Sequence, residues 1–170
     1  MPANEHSVHP VIVGVSPGQP THVVLHAAQF ALRFGAPLVC AHVNPGRYAT
    51  AEAADGAVSS TSIDPDFADL REEIFDEKLA AGLAELLVDS GIEWRMLLLA
   101  GDIASALGHL AQTIDAAMIV VGSHESSVSG SIQEFFNRSI AVQLAHHQHR
   151  PVVVIPARPP GLESPTPWKQ

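Results

Sequence analysis

The residues best suited to chemistry lie in one polar segment that directly follows an apolar run. Gly122 and Ser123 end the run, and His124 and Glu125 come next. The remainder of the segment adds hydroxyl, glycine and guanidinium groups: Ser126, Ser127, Ser129, Gly130, Arg138 and Ser139. Backbone N–H groups at a helix start, together with hydroxyl and guanidinium groups, are typical ligands of phosphate. The segment therefore predicts a loop that binds a phosphate or another anion. The same pattern also fits serines that only form a solvated turn and a loop histidine that has no function.

Other reactive side chains support no catalytic or metal centre. His146 and His149 are three residues apart near the end of a predicted helix, but no cysteine or carboxylate is close in sequence. Histidines at that end of a helix also interact favourably with its dipole, so we predict no metal site. The single cysteine, Cys40, lies in a predicted strand and is interpreted as a small buried hydrophobe. Because no nucleophile is spaced against a base, no enzyme class is supported.

Alternating strands and helices must position the polar segment. Short apolar, β-branched runs predict strands at 10–15, 38–43, 93–100, 117–121 and 151–155. Helical periodicity predicts one helix from Thr21 to Phe34, a second from Asp64 to Gly91 and a third after Asp102. A capping-box pattern at Ser131 starts the last helix. This order predicts a doubly wound, three-layer α/β/α sandwich with a five-stranded parallel sheet.

The predicted sheet also tells where a ligand should bind. Strands one and four are expected to be neighbours at the point where the direction of winding changes, and ligands of such sheets bind outside the carboxyl ends of the strands there. Those ends are Val15-Ser16 and Gly122-Ser123. Residues 44–63 show no clear periodicity, which predicts an irregular or disordered loop, with a flap near the site as the alternative.

Length and charge favour a single domain flanked by polar ends. Of the 170 residues, 1–9 are predicted to be a flexible arm, 10–156 one domain and 157–170 a proline-rich disordered tail. The net charge of −9 argues against general nucleic-acid binding, which requires basic patches. No apolar run has the roughly 20 residues that a transmembrane helix needs, and the first residues lack a signal-peptide layout. We therefore expect a cytoplasmic protein that binds neither membrane nor nucleic acid.

Four segments resemble the universal stress protein family and together cover roughly residues 8–157. They read VIVGV, ALRFGAPLVCAHV, AGDIASALGHLAQTIDAAMIVVGSH and SIAVQLAHHQHRPVVVIP. The resemblance implies a five-stranded parallel sheet of order 3-2-1-4-5. It also implies homodimerisation through the last strand, which places the candidate interface at Pro151, Val152, Val153, Val154 and Ile155. One branch of that family binds ATP through glycines after strand four, whereas the other branch does not.

The sequence departs from the ATP-binding pattern, which is Gly, two residues, Gly, nine residues, Gly and then Ser or Thr. Gly122 matches the first glycine and Ser139 the final hydroxyl, but Glu125 and Arg138 stand at the other two glycine positions. Twelve residues separate those two positions, and Gly130 within them is a candidate substitute. Glutamate adds a like charge near a phosphate, whereas an arginine fork is able either to pair with the phosphate or to fill its place.

The resemblance also implies contacts on the base and ribose side of the ligand. Ser16 stands where the ATP-binding branch tends to carry an aspartate near the ribose, and Val43 on strand two falls at the adenine side. The complete candidate nucleotide site is a set of strand ends and loop residues: Gly14, Val15, Ser16, Val43, Val121, Gly122, Ser123, His124, Glu125, Gly130, Arg138, Ser139 and Ile140.

Three functions are compatible with these residues. The first is a dimeric stress-response binding or regulatory protein with a degenerate nucleotide site, unknown protein partners and no catalysis. The second is an ATP- or AMP-binding switch or weak ATPase that holds the phosphates with Gly122, Ser123, His124, Arg138 and Ser139. The third is a binder of another small molecule, such as an anion or a flavin-like ring.

Overall fold

Seven strands and four helices make up the described chain. A computed structural model describes residues 8–64, 75–123 and 139–156. In chain order the elements are β1 Val11–Gly14, α1 Thr21–Phe34, β2 Leu38–Asn44, β3 Arg47–Glu52, β4 Val58–Ser62, α2 Glu77–Leu87, β5 Trp94–Ala100, α3 Ile103–Thr113, β6 Met118–Gly122, α4 Ser139–His147 and β7 Val152–Ile155. None of the helices in these described ranges is long and apolar enough to cross a membrane.

Five of the strands form one parallel sheet in the order β5-β2-β1-β6-β7. The predicted fold class is therefore confirmed, since this order is 3-2-1-4-5 when the five strands are numbered by themselves. The central strand β1 aligns Val13 with Cys40 of β2 on one side and with Val120 of β6 on the other. The order reverses between β1 and β6, so the crevice at their carboxyl ends is the place where this fold positions a ligand.

Side chains alternate between two apolar layers because successive residues of a strand point to opposite faces. On one face, Val13, Val15 and Cys40 pack with the buried stripe of α1 and with α2. On the other face, Ile12, Val43 and Val121 pack with α3 and α4. The central strands are buried on both sides, which explains their continuous β-branched runs.

The segment predicted as an irregular loop is instead an antiparallel β-hairpin. β3 and β4 pair from Arg47↔Ser62 to Glu52↔Val58. Its tip packs against the sheet and α3, because a Cβ built on buried Gly56 would lie 2.3 Å from Leu110 Cδ1. The periodicity was absent since most of the hairpin is exposed, and its contacts with the rest of the domain involve residues forty or more positions away, such as Arg95 and His109.

Two details of the predicted helices are also wrong. The helix expected to run unbroken from Asp64 is interrupted, since Phe75 and Asp76 are not helical and α2 begins at Glu77 with the Asp76 side chain accepting from Leu79 N at 2.8 Å. Phe34, assigned to the apolar stripe of α1, is 59% exposed at the last residue of that helix. The predicted start of the last helix at Ser131, residues 1–7 and the tail lie outside the described residues.

Candidate functional site

The carboxyl ends of β1 and β6 lie side by side and both end in glycine. A Cβ built on Gly14 would lie 3.6 Å from Val121 Cγ1 and 3.4 Å from Leu107 Cδ1 on the α3 face. A Cβ on Gly122 would point to the opposite face, 3.1 Å from Val23 Cγ2. Little room for side chains is thus left at Gly14 and Gly122, at the bottom of the crevice. The polar groups there belong to the backbone.

Gln19, in the loop between β1 and α1, bonds the end of β1 beside this crevice. Its Nε2 donates to Gly14 O at 3.1 Å, and its Oε1 accepts from Ser16 N at 3.0 Å. The same Nε2 lies 3.2 Å from the position of a Cβ on Gly122. Gly122 therefore has a packing role independent of any phosphate, because a side chain there would crowd Val23 and Gln19, which would have to move by a few tenths of an ångström.

The neighbouring strand β2 contributes a histidine to the same edge. His42 Nδ1 donates to Val15 O at 2.9 Å, since a carbonyl oxygen only accepts. Its ring packs edge-on against Phe75, with 6.0 Å between the ring centroids. His42 is on the α1–α2 face of the sheet, whereas Val43 belongs to the apolar layer on the α3–α4 face. Val43, where the adenine-side contact is predicted, therefore offers an apolar side chain on the α3–α4 face. Its neighbour His42 offers a polar side chain on the opposite face of the sheet.

The loop after β6 starts close to the last strand. Ser123 N donates to Ile155 O at 2.7 Å, which extends the β6–β7 pairing one residue beyond Gly122↔Ile155. His22 at the start of α1 donates from Nε2 to Pro156 O at 2.7 Å. These bonds tie the end of β7 to both walls of the crevice.

The structure brings together only part of the predicted site. Gly14, Val15, Ser16, Gly122 and Ser123 surround the same strand ends. Four predicted residues lie outside the described part of the chain: His124, Glu125, Gly130 and Arg138. Of the other four, Ser139 is the first residue of α4, and Val43, Val121 and Ile140 belong to the apolar layer on the α3 face.

Sequence reasoning missed Gln19, His42 and Phe75. Gln19 carried one usable signal, because it stands five residues after the last residue of β1, within the turn that leads into α1. His42 carried another, as a polar residue that interrupts an otherwise apolar strand. Phe75 had none, since its contact with His42 joins residues far apart in the chain.

Among the described residues, two side chains have a clearly shifted pKa, and neither is in the crevice. Burial raises the pKa of the Cys40 thiol to about 12, so this cysteine is a core residue as predicted. Hydrogen bonds from His109 and Thr113 lower the pKa of Glu52 in the hairpin. In the described ranges, no three histidine, cysteine or acidic side chains are grouped so that they could hold a metal ion.

Comparison with known proteins decides the family. A sequence profile described as "Universal stress protein family" matches residues 7–156. The chain belongs to the universal stress protein family. No curated protein matches the chain significantly.

Solved universal stress proteins have the same fold at low sequence identity. A universal stress protein in complex with cAMP is 17% identical, with a TM-score of 0.60 over 89% of this chain and 98% of its own. The Archaeoglobus fulgidus protein in complex with dAMP is 20% identical, with a TM-score of 0.56 over 86% and 97%. A family member from Burkholderia pseudomallei is 23% identical, with a TM-score of 0.56 over 89% and 98%.

Proposed function

We propose that this universal stress protein is a dimeric, non-catalytic regulatory protein whose nucleotide site is degenerate. The observation that carries the proposal is the crevice between β1 and β6, where the Gln19 carboxamide is bonded to Gly14 O and Ser16 N. The ends of the strands match the place where such folds bind ligands, but the polar backbone groups at this place already have an internal partner. The protein would act through its conformation and its partners.

The phosphate side of the site supports the same proposal from sequence. Glu125 stands where the ATP-binding branch has a glycine. At about 4 Å and an effective dielectric near 20, repulsion between a carboxylate and a phosphate charge is on the order of 4 kcal/mol. A triphosphate carries several such charges, so ATP is disfavoured more than a monophosphate. Arg138, at the next glycine position, offsets part of this repulsion or fills the phosphate space itself.

A homodimer through β7 is supported by the pairing and the exposure of that strand. Among the described residues, β7 pairs only with β6, and Val154 is 46% exposed. An apolar edge strand with unpaired backbone groups is a surface that proteins normally cover or charge. A two-fold contact between Val152–Ile155 segments would cover it with the same residues of a second copy.

Calorimetric titration with ATP and AMP, with and without magnesium, tests the proposed function. The expected result is no ATP binding and no ATP hydrolysis up to millimolar nucleotide. Micromolar ATP binding by the wild-type protein would overturn the degenerate site. Glu125→Gly, which restores the second glycine of the pattern, is the matched variant and is expected to gain affinity for the triphosphate.

The second candidate function is an ATP- or AMP-dependent switch. It is favoured by the complexes of structurally similar universal stress proteins with cAMP and dAMP. If Arg138 binds a phosphate, Arg138→Ala should weaken nucleotide binding in the same titration. If Arg138 blocks the site, Arg138→Gly should strengthen it.

A further inference from the structure

We propose that His22 and His26, one turn apart on α1, form a binding site for a divalent transition-metal ion such as Zn²⁺, Ni²⁺ or Cu²⁺. The juxtaposition that carries the proposal is a pair of neighbouring imidazoles, each of which already donates its N–H to a backbone carbonyl. The site goes beyond the proposed function and does not depend on whether the crevice binds a nucleotide.

The spacing of the two histidines is the first reason. Residues four apart in a helix are neighbours on one face, with about 5–6 Å between their Cβ atoms. His22 and His26 have this spacing within α1, and the centroids of their rings are 6.1 Å apart. Two histidines four apart on a helix also form the ligand pair of the zinc motif H-E-x-x-H. A shared ion between the two rings therefore requires only rotation of these side chains.

The hydrogen bonds of the rings are the second reason, because they decide which nitrogens are available to a metal. Nε2 of His22 donates to Pro156 O at 2.7 Å, and Nδ1 of His26 donates to His22 O at 2.7 Å. Both nitrogens carry the proton, since a carbonyl oxygen only accepts. In the neutral imidazoles this leaves lone pairs on His22 Nδ1 and His26 Nε2. Within the described ranges neither of these two nitrogens makes another hydrogen bond.

The same backbone bonds have the form of the outer shell of a metal site. A histidine that ligates a metal almost always donates its other N–H to a carbonyl, a carboxylate or water, which fixes the tautomer and orients the ring. Pro156 O is such a partner for His22, and His22 O is such a partner for His26. An ion bound here would also strengthen the attachment of α1 to the residue that follows β7.

The two imidazoles determine the class of ion. In the described part of the chain, no third histidine, cysteine or acidic side chain joins them, so water would complete the coordination. Imidazole ligands suit zinc, copper and nickel, whereas magnesium and calcium prefer oxygen ligands. Cu²⁺ should bind more tightly than Ni²⁺ or Zn²⁺, as it does at nitrogen sites in general.

The test is a titration of the full chain with Zn²⁺ at neutral pH, followed by the ¹⁵N chemical shifts of the imidazole nitrogens. His22→Ala and His26→Ala each remove one ligand. His26→Gln keeps an amide donor for His22 O and provides a second variant if the alanine protein does not fold. The control is the double variant His146→Ala/His149→Ala. It removes two exposed histidines near the end of α4 that make no hydrogen bond within the described ranges.

The proposal expects Zn²⁺ to shift His22 Nδ1 and His26 Nε2, and each single variant to bind Zn²⁺ at least about tenfold more weakly than wild type. The loss is expected because the second ligand meets an already bound ion at a high effective concentration. The control should bind like wild type.

No shift of either ring up to millimolar Zn²⁺ would overturn the proposal. An equal loss of affinity in the control would also overturn it, because binding would then be a general property of the surface histidines. Neither result would affect the titration with ATP and AMP that tests the proposed function.

Discussion

The two edge strands of the main sheet, β5 and β7, are protected in different ways. Beside β5 lies the β3–β4 hairpin, which packs Ala57 and Val58 on the apolar layer of the α3 face. It is also held by Arg95, whose Nη2 donates to Asp55 O at 2.6 Å. Beside β7 the described residues place no further strand or hairpin, and Val154 remains 46% exposed.

This difference separates an edge that other residues of the same chain cover from an edge that no described residues cover. At β5 the cover is the hairpin. Its tip lies on Leu110 and Ile114 near the end of α3, far along that helix from the Asp102 cap at the carboxyl edge of the sheet. The hairpin therefore covers the edge of the sheet at β5. The alternative prediction, that this segment forms a flap over the crevice, is not supported.

The largest effect is expected when the hairpin tip is blocked. In Gly56→Ala the new Cβ would lie 2.3 Å from Leu110 Cδ1, and the backbone has a φ of +84° that alanine adopts with strain. Because Leu110 is itself buried and cannot move freely, we expect a loss of about 2–4 kcal/mol in the free energy of unfolding, measured in urea.

Gly18→Ala separates the two causes of this loss of stability, the steric contact and the backbone strain. Gly18 has a similar φ of +77° but no atom within 4 Å of its Cβ position, so only the backbone cost of about 1 kcal/mol should appear. Equal destabilisation by the two variants would mean that the hairpin tip is not packed in solution.

An intermediate effect is expected when the β7 edge is charged. In Val154→Glu, two like charges would face each other across a two-fold contact of β7 strands. The dimer dissociation constant should rise more than about tenfold, measured by light scattering over a range of concentrations.

Val88→Glu is the control, since Val88 is 73% exposed at the end of α2, in the layer on the other side from α4. Its oligomeric state should match wild type. A wild-type monomer at micromolar concentration, or a Val154→Glu protein that dimerises as well as wild type, would place the dimer contact elsewhere.

The smallest effect concerns the polar attachment of the hairpin. Glu52 bonds His109 Nε2 at 2.5 Å and Thr113 Oγ1 at 2.9 Å, and these bonds lower the pKa of the carboxyl from its ordinary 4.5. A lowered pKa stabilises the folded state fully above the unfolded value, and the benefit disappears as the pH falls through the folded pKa.

Glu52→Gln should therefore lower the free energy of unfolding by less than about 1 kcal/mol at neutral pH, because the Glu52–His109 pair is near solvent. The difference from wild type in urea unfolding should shrink as the pH is lowered below 4.5. Glu85→Gln, at an exposed position on α2, should show no such pH dependence. A difference that grows toward acidic pH would have the wrong sign for this explanation.

Local patterns were reliable where they determine the backbone directly. Gly35 ends α1 in the left-handed conformation, and Asp102 starts α3 by accepting from Ser105 N at 2.8 Å, both as predicted. The unbroken helix predicted from Asp64 to Gly91 is wrong at Phe75 and Asp76, because a second capping aspartate, Asp76, starts α2 there, while residues 65–74 lie outside the described part of the chain. The strand ends that form the candidate site were predicted from the sequence, but the polar contacts at those ends were not.

The sequence alone determined the five strands, because buried parallel strands leave continuous apolar runs and helix boundaries leave local caps. The family and the strand order followed from the resemblance of four of its segments to universal stress proteins. Only the tertiary structure decided what lies against β5 and what fills the crevice. The hairpin is exposed over most of its length, so its place on the domain was decided by contacts distant in sequence, such as that of Gly56 with Leu110 across more than fifty residues. Gln19 reads as an ordinary turn residue until β1 and β6 bring Gly14 and Gly122 to either side of its amide.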